Sequence, residues 1–105
     1  MIMRIWRGKV PSRKAGDYRA YLDRTGLAEY RKTPGNLGVF ATNCALGDVT
    51  ELALVTFWDS IESIQKFAGP DIDTAVYYPE DDQYLLYREP KVEHYDVGYA
   101  APAFG

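Results

Sequence analysis

The sequence predicts an α+β domain of order β-α-β-β-α-β, the split βαβ or ferredoxin-like arrangement. Three observations point there. Strand patterning occupies residues 2–10, 37–46, 50–58 and 92–99. Helical stretches with recognisable start and stop signals lie between the first and second strands and between the third and fourth. The third strand is apolar on both sides, as expected of a strand inside a sheet that is covered on both faces.

In the first strand Ile2, Arg4, Trp6, Gly8 and Val10 share one side, and Met3, Ile5, Arg7 and Lys9 share the other. Pro11 and Ser12 close it, and Ser12 is placed to cap a helix from Arg13. Ala15, Tyr18 and Leu22 form the buried stripe of that helix. Gly26 breaks it, leaving a second piece from Leu27 to Lys32, and Thr33-Pro34-Gly35 ends it. Leu37 to Leu46 is the second strand, and Gly47-Asp48 turns the chain into the third, Thr50 to Trp58. Leu52, Leu54, Thr56 and Trp58 point one way; Ala53, Val55 and Phe57 point the other.

Asp59 with Glu62 reads as a capping box for a helix whose stripe is Ile61, Ile64, Phe67 and Ala68. Gly69-Pro70 stops it. Asp71–Tyr78 and Pro79–Leu86 read as short helical pieces, with Pro79 at the first helical position. Val92 to Tyr99 is the last strand. Crossover rules place the strands in the order 4-1-3-2 with both helices on one face. Residues 1–100 form the domain and 101–105 a C-terminal tail. The other face keeps Ala53, Val55 and Phe57. At about 25 cal/mol per Å², leaving it wet forfeits several kcal/mol, comparable to the stability of a small domain. A second copy is therefore expected to cover it, giving a homodimer in which two sheets make an α/β barrel.

The composition is globular: 47 % apolar and 26 % charged over 105 residues, with nine Tyr against four Phe. Cys44 is the only cysteine, so no intrachain disulfide forms. Arg4 and Arg7 interrupt the opening apolar residues, which therefore lack a signal-peptide core. No apolar run reaches membrane-spanning length. A cytoplasmic protein without a membrane partner is expected. Nine basic and three acidic residues give residues 1–32 a charge of +6; three basic and twelve acidic give 33–105 a charge of −9. The basic residues recur at helix-surface spacing and do not cluster with aromatics, which argues against nucleic acid.

Several side chains stand out. Trp58 either plugs the core, its N–H finding a backbone carbonyl, or walls an aromatic pocket. Trp6 and Arg4 share a strand side that can join Trp58 around one cavity. A buried Arg4 needs either a carboxylate within the fold or an anionic ligand. His94 is the only histidine, which excludes a multi-histidine metal site. It lies two residues from Asp96 on one strand side, so an acid-oriented base can be built there. Glu80, Asp81 and Asp82 after Pro79 suit a helix N-terminus and match no calcium loop. No glycine-rich nucleotide fingerprint is present.

The segment TFWDSIESIQKFAGPD and the strand HYDVGY resemble those of the antibiotic-biosynthesis-monooxygenase superfamily of dimeric α/β barrels. That resemblance implies a cofactor-independent monooxygenase acting on a small phenol or quinol between sheet and helices. His94 would be the base, Arg4 the phenolate partner, and Trp6, Trp58, Tyr77 and Tyr78 the pocket wall. The alternative is a non-catalytic dimer of the same fold that binds a small ligand or a protein. The haem-degrading branch is a third reading. Trp58 matches the tryptophan that presses on haem there, but the axial histidine falls on Tyr77 and the first-strand asparagine at about Trp6. Two of three positions are thus changed, and no cofactor is expected.

Overall fold

Alternation along the first strand decides how the sheet is used. In the computed structural model, which describes residues 1–101, β1 (Ile2–Pro11) buries Arg4, Trp6, Gly8 and Val10 and exposes Arg7 and Lys9. The chain continues through a short 3-10 turn into α1 (Ala15–Arg24), α2 (Gly26–Lys32), β2 (Asn36–Leu46) and β3 (Val49–Trp58). Then follow α3 (Ile61–Ala68), a 3-10 helix at Pro79–Gln83 and β4 (Glu93–Asp96). The antiparallel sheet runs β2-β3-β1-β4, the expected 4-1-3-2 order read from the other edge. β1 pairs with β3 along its whole length, from Ile2 opposite Trp58 to Pro11 opposite Val49.

This register puts the even-numbered residues of β1 and β3 under the helices. Trp58 and Ile64 are fully buried. The indole N–H of Trp58 donates to Thr56 Oγ1 at 2.8 Å, a side-chain hydroxyl where a backbone carbonyl was expected. The Phe67 ring lies 6.1 Å from Trp58 and 4.4 Å from Tyr30, so three elements meet in one aromatic cluster. Gly8 is required by Trp6: the indole lies across it, and a Cβ there would strike the ring. Gly35 has φ 92° and is backed by Ser63 and Asp59, so it is excluded to other residues twice over. The odd-numbered residues face away from the helices. Ala53, Val55 and Phe57 stay half-buried there, and Phe40 of β2 is 43 % exposed.

Several local expectations are corrected. Ser12 does not cap a helix; its hydroxyl pins the chain to the β2–β3 turn through Gly47 O at 2.7 Å and Thr50 Oγ1 at 2.8 Å. α1 consequently starts at Ala15. Ser60, not Asp59, caps α3, accepting from the Ser63 N–H at 3.2 Å, while the Asp59 carboxylate takes the Ser60 and Ser63 hydroxyls. This one-residue shift turns Ile61 outward, to 49 % exposure. Residues 71–78 are not helical. They form a strap whose backbone pairs with the chain before β4: Ala75 N donates to Pro90 O at 2.9 Å and Val92 N to Asp73 O at 3.0 Å. Helical turns beyond it are confined to Pro79–Gln83. β4 is short for the same reason, because Val92 bonds to the strap rather than to β1. The expected tail falls mostly outside the described residues.

Candidate functional site

The strap lies over the helix-side face of β1 and β4. Between the strap, β1 and the helices is a cavity of about 20 Å³, lined by Arg4, Trp6, Tyr30, Phe67, Tyr77 and Tyr78 among others, and by no residue of β4. That is room for about one water. A larger groove of about 570 Å³ lies at the other side, between Ile5, Arg7 and Lys9 of β1 and the segment carrying Leu86, Tyr87 and Lys91.

Arg4 is 1 % exposed. Its Nη2 reaches the carbonyls of Ile72 at 3.4 Å and Thr74 at 3.3 Å, both long contacts. Its Nε has no hydrogen-bond partner. Its guanidinium lies 5.6 Å from the centre of the Phe67 ring, an attractive but weak contact. Among the described residues no carboxylate forms an ion pair with it. Burial pulls its pKa down, against the opposing influence of the Tyr30 hydroxyl and Asp73.

β4 places His94 directly opposite Arg4. Its side chain is 14 % exposed, with Nδ1 3.3 Å from Asp73 Oδ1. The alignment is poor, and both ring nitrogens lack a hydrogen bond. Burial, then the nearby Arg4 charge, lowers the His94 pKa, while Asp73 works the other way. The ring is therefore neutral at neutral pH, the form that accepts a proton. The acid beside it is Asp73 from the strap, not Asp96 from its own strand. Asp96 lies opposite Ile2 at the strand end.

Tyr77 and Trp6 form one wall. Trp6 Nε1 donates to Tyr77 Oη at 3.1 Å, and Tyr77 donates to Glu89 O at 2.5 Å. Burial raises the Tyr77 pKa; the Trp6 N–H opposes this and Asp81 adds to it. Tyr78 is pushed up to about 12 by burial, with Glu29 next in effect. Asp81, 3 % exposed, holds this corner by accepting from Tyr78 N at 2.6 Å and from the Tyr18 hydroxyl at 3.0 Å. Trp58 does not line the cavity; it stands one ring behind, against Tyr30 and Phe67.

Of the residues singled out in the sequence, Arg4, Trp6, Tyr77 and Tyr78 line the cavity, while His94 stands beside Asp73 of the strap, outside that lining. Tyr30, Phe67 and Asp73 were missed. Tyr30 could have been found three residues after Leu27, on the buried side of α2. Asp73 carried no local signal, because its place is set by contacts with a distant strand. The residues fit haem poorly. The ligand position holds a phenol that donates to a carbonyl and whose proton is retained by burial, whereas haem iron takes tyrosinate. Among the described residues no group of His, Cys, Asp and Glu is arranged to hold a metal, and no helix is long and apolar enough to cross a membrane.

No family profile matches the chain, and no curated protein matches it. Solved structures do. A Nitrosomonas europaea protein, provisionally assigned as an antibiotic biosynthesis monooxygenase, superposes with a TM-score of 0.68 at 16 % identity, over 94 % of this chain and 100 % of its own. A mutant of MhuD with two manganese protoporphyrin IX molecules bound per active site gives 0.66 at 18 % identity, over 98 % and 100 %. The monooxygenase ActVA-Orf6 of Streptomyces coelicolor, in complex with nanaomycin D, gives 0.60 at 18 % identity, over 97 % and 92 %. The likeness is one of fold: this chain has the ferredoxin-like α+β architecture of the antibiotic-biosynthesis-monooxygenase structures.

Proposed function

We propose that the protein is a cofactor-independent monooxygenase for a small phenol or quinol, bound between the sheet and the 71–78 strap. The observation that carries this is the pairing of Arg4 with His94 across β1 and β4. Arg4 is buried and lines the aromatic cavity, His94 stands half-buried beside it, and both carry nitrogens without hydrogen-bond partners. The shared fold with monooxygenases adds support.

In this reading His94, steadied by Asp73, takes the phenolic proton, and Arg4 holds the oxyanion. Ordinary pKa values of about 10 for a phenol and 6.5 for imidazole leave a gap worth roughly 5 kcal/mol, which the Arg4 charge must offset. The phenolate passes an electron to O₂, the oxygen bonds to a ring C–H carbon, and the resulting hydroperoxide loses water. One oxygen atom ends as a new carbonyl and the other as water. Trp6, Tyr77 and Tyr78 keep the site dry, with Trp58 fixing the wall from behind.

Oxygen uptake against a quinol panel tests the proposal. Turnover is expected with the native protein and absent with His94→Ala while the fold is kept. No uptake above buffer from a well-folded native sample overturns it. The near-filled cavity favours a second reading, a non-catalytic protein that binds a small ligand or a partner. There His94→Ala leaves ligand affinity unchanged.

The working unit in either reading is a homodimer, the second copy covering the Ala53, Val55 and Phe57 face. Charge supports a two-fold contact: the groove at its edge alternates Arg7, Lys9 and Lys91 with Glu51, Glu89 and Glu93, a self-complementary set. The outer strand β2 supports it too, since its eleven residues include no charge to discourage pairing. The exposed free thiol of Cys44 suits a reducing, cytoplasmic setting.

A further inference from the structure

A guanidinium withdrawn from water is costly unless an anion stands beside it. Arg4 has none. Its hydrogen bonds to the Ile72 and Thr74 carbonyls are stretched, the Tyr30 hydroxyl lies beside it, and its Nε is unpartnered. The ionisable groups facing it from the packed elements are Tyr30 of α2, His94 of β4 and Asp73 of the strap. Asp73 is the one acid of the three, is 67 % exposed, and lies against His94. The aromatic ring of Phe67 covers the guanidinium from another side. The fold has therefore built a cation and aromatic walls into one cavity, with a neutral base beside the cation on the neighbouring strand, and among the described residues no carboxylate is ion-paired with that cation.

We infer that the site selects acidic phenols and holds them as phenolates, with Arg4 as the counter-ion. The phenols meant carry a ring substituent, such as a para carbonyl or nitro group, that lowers the cost of ionisation. The inference rests on the functional reading above and narrows its substrate class. An ordinary phenol leaves His94 an uphill proton transfer; an acidic one removes most of it. The phenolate oxygen takes the place of the strap carbonyls on Arg4. Because the cavity holds about one water, ligand entry requires residues 71–78 to move aside.

The test uses 4-nitrophenol, whose ionised form has its own visible absorption band, and its uncharged methyl ether 4-nitroanisole. Both are titrated with the native protein under argon between pH 5.5 and 8.5. The expected result is ionisation of bound 4-nitrophenol at a pH about one unit or more below that of the free compound. Affinity for 4-nitroanisole is expected to be at least about tenfold weaker at the upper pH. Arg4→Gln should abolish both effects, and Arg4→Lys should retain part of the shift. The native spectra decide even if a variant does not fold. An unshifted or raised ionisation overturns the inference, as does equal affinity for the ether or failure of both probes to bind. Excluding oxygen separates this result from the parent reading. A shifted phenolate with no oxygen uptake from acidic quinols keeps the anion site and removes the monooxygenase. Uptake from quinols without any ionisation shift does the reverse.

Discussion

On β3, Leu52, Leu54 and Trp58 are 2, 4 and 0 % exposed, whereas Ala53, Val55 and Phe57 on the opposite side remain half-buried with no helix over them. The two sides are similarly apolar. They differ in what lies among the apolar residues. The covered side contains buried Arg4 and Asp81, groups that cost free energy to bury, with His94 half-buried beside Arg4. The open side keeps its charges at the margin, as in the pairing of Arg7 with Glu93, both about half exposed. Hydrophobicity alone thus does not tell a core from a contact surface. The side with internal charge is the one on which the proposed site is built, and the uniformly apolar side is the one proposed to meet a second copy.

Substitutions can break or sharpen this contrast. Trp58→Ala removes the centre of the covered side and should lower stability by about 3–5 kcal/mol, read from urea unfolding. Val55→Lys places a charge on the open side. It should weaken self-association by about 2–5 kcal/mol in sedimentation equilibrium while the far-ultraviolet spectrum is retained. A native protein that sediments as an 11.9 kDa monomer at micromolar concentration removes the dimer from the account. Gly8→Ala pushes the Trp6 indole off its seat, so a loss of about 1–3 kcal/mol with a changed tryptophan emission is expected.

The pH dependence should be smaller. His94 has its folded pKa below the unfolded value, so the unfolded chain binds more protons between the two. Stability from this group is complete above about pH 6.5 and is lost as pH falls through the lowered folded pKa. Urea midpoints measured from pH 8 to pH 5 should fall on the acid side, and His94→Gln should flatten that part of the curve. Least affected is Arg7→Ala, which removes a half-exposed ion pair and should cost under about 1 kcal/mol.

The sheet was legible because its signals are local. Alternation in Ile2–Val10 and Thr50–Trp58, the Gly47-Asp48 turn and the Thr33-Pro34-Gly35 stop each act within a few residues. The capping of α3 was harder, since Asp59 and Ser60 are both good caps and the choice fell to a neighbouring hydroxyl network with Ser63. The strap was not legible. Its partners are Arg4, Pro90 and Val92, far away in the chain, and its acids and β-branched residues equally suit a helix end. Arg4 and His94 could be named as chemically unusual, but their meeting follows from the β1–β4 register and their shared polar neighbour from the strap.

The uncharged outer strand has a further consequence. From Phe40 to Leu46 every residue of β2 is exposed, and the strand forms one rim of the sheet. Among the described residues no strand pairs with β2 on its outer side, and β2 has no lysine or proline to turn an extended peptide away. A copy without the proposed second subunit would present this rim for edge-to-edge stacking. The concentration at synthesis, more than the intrinsic strength of the fold, would decide how much product stays dissolved.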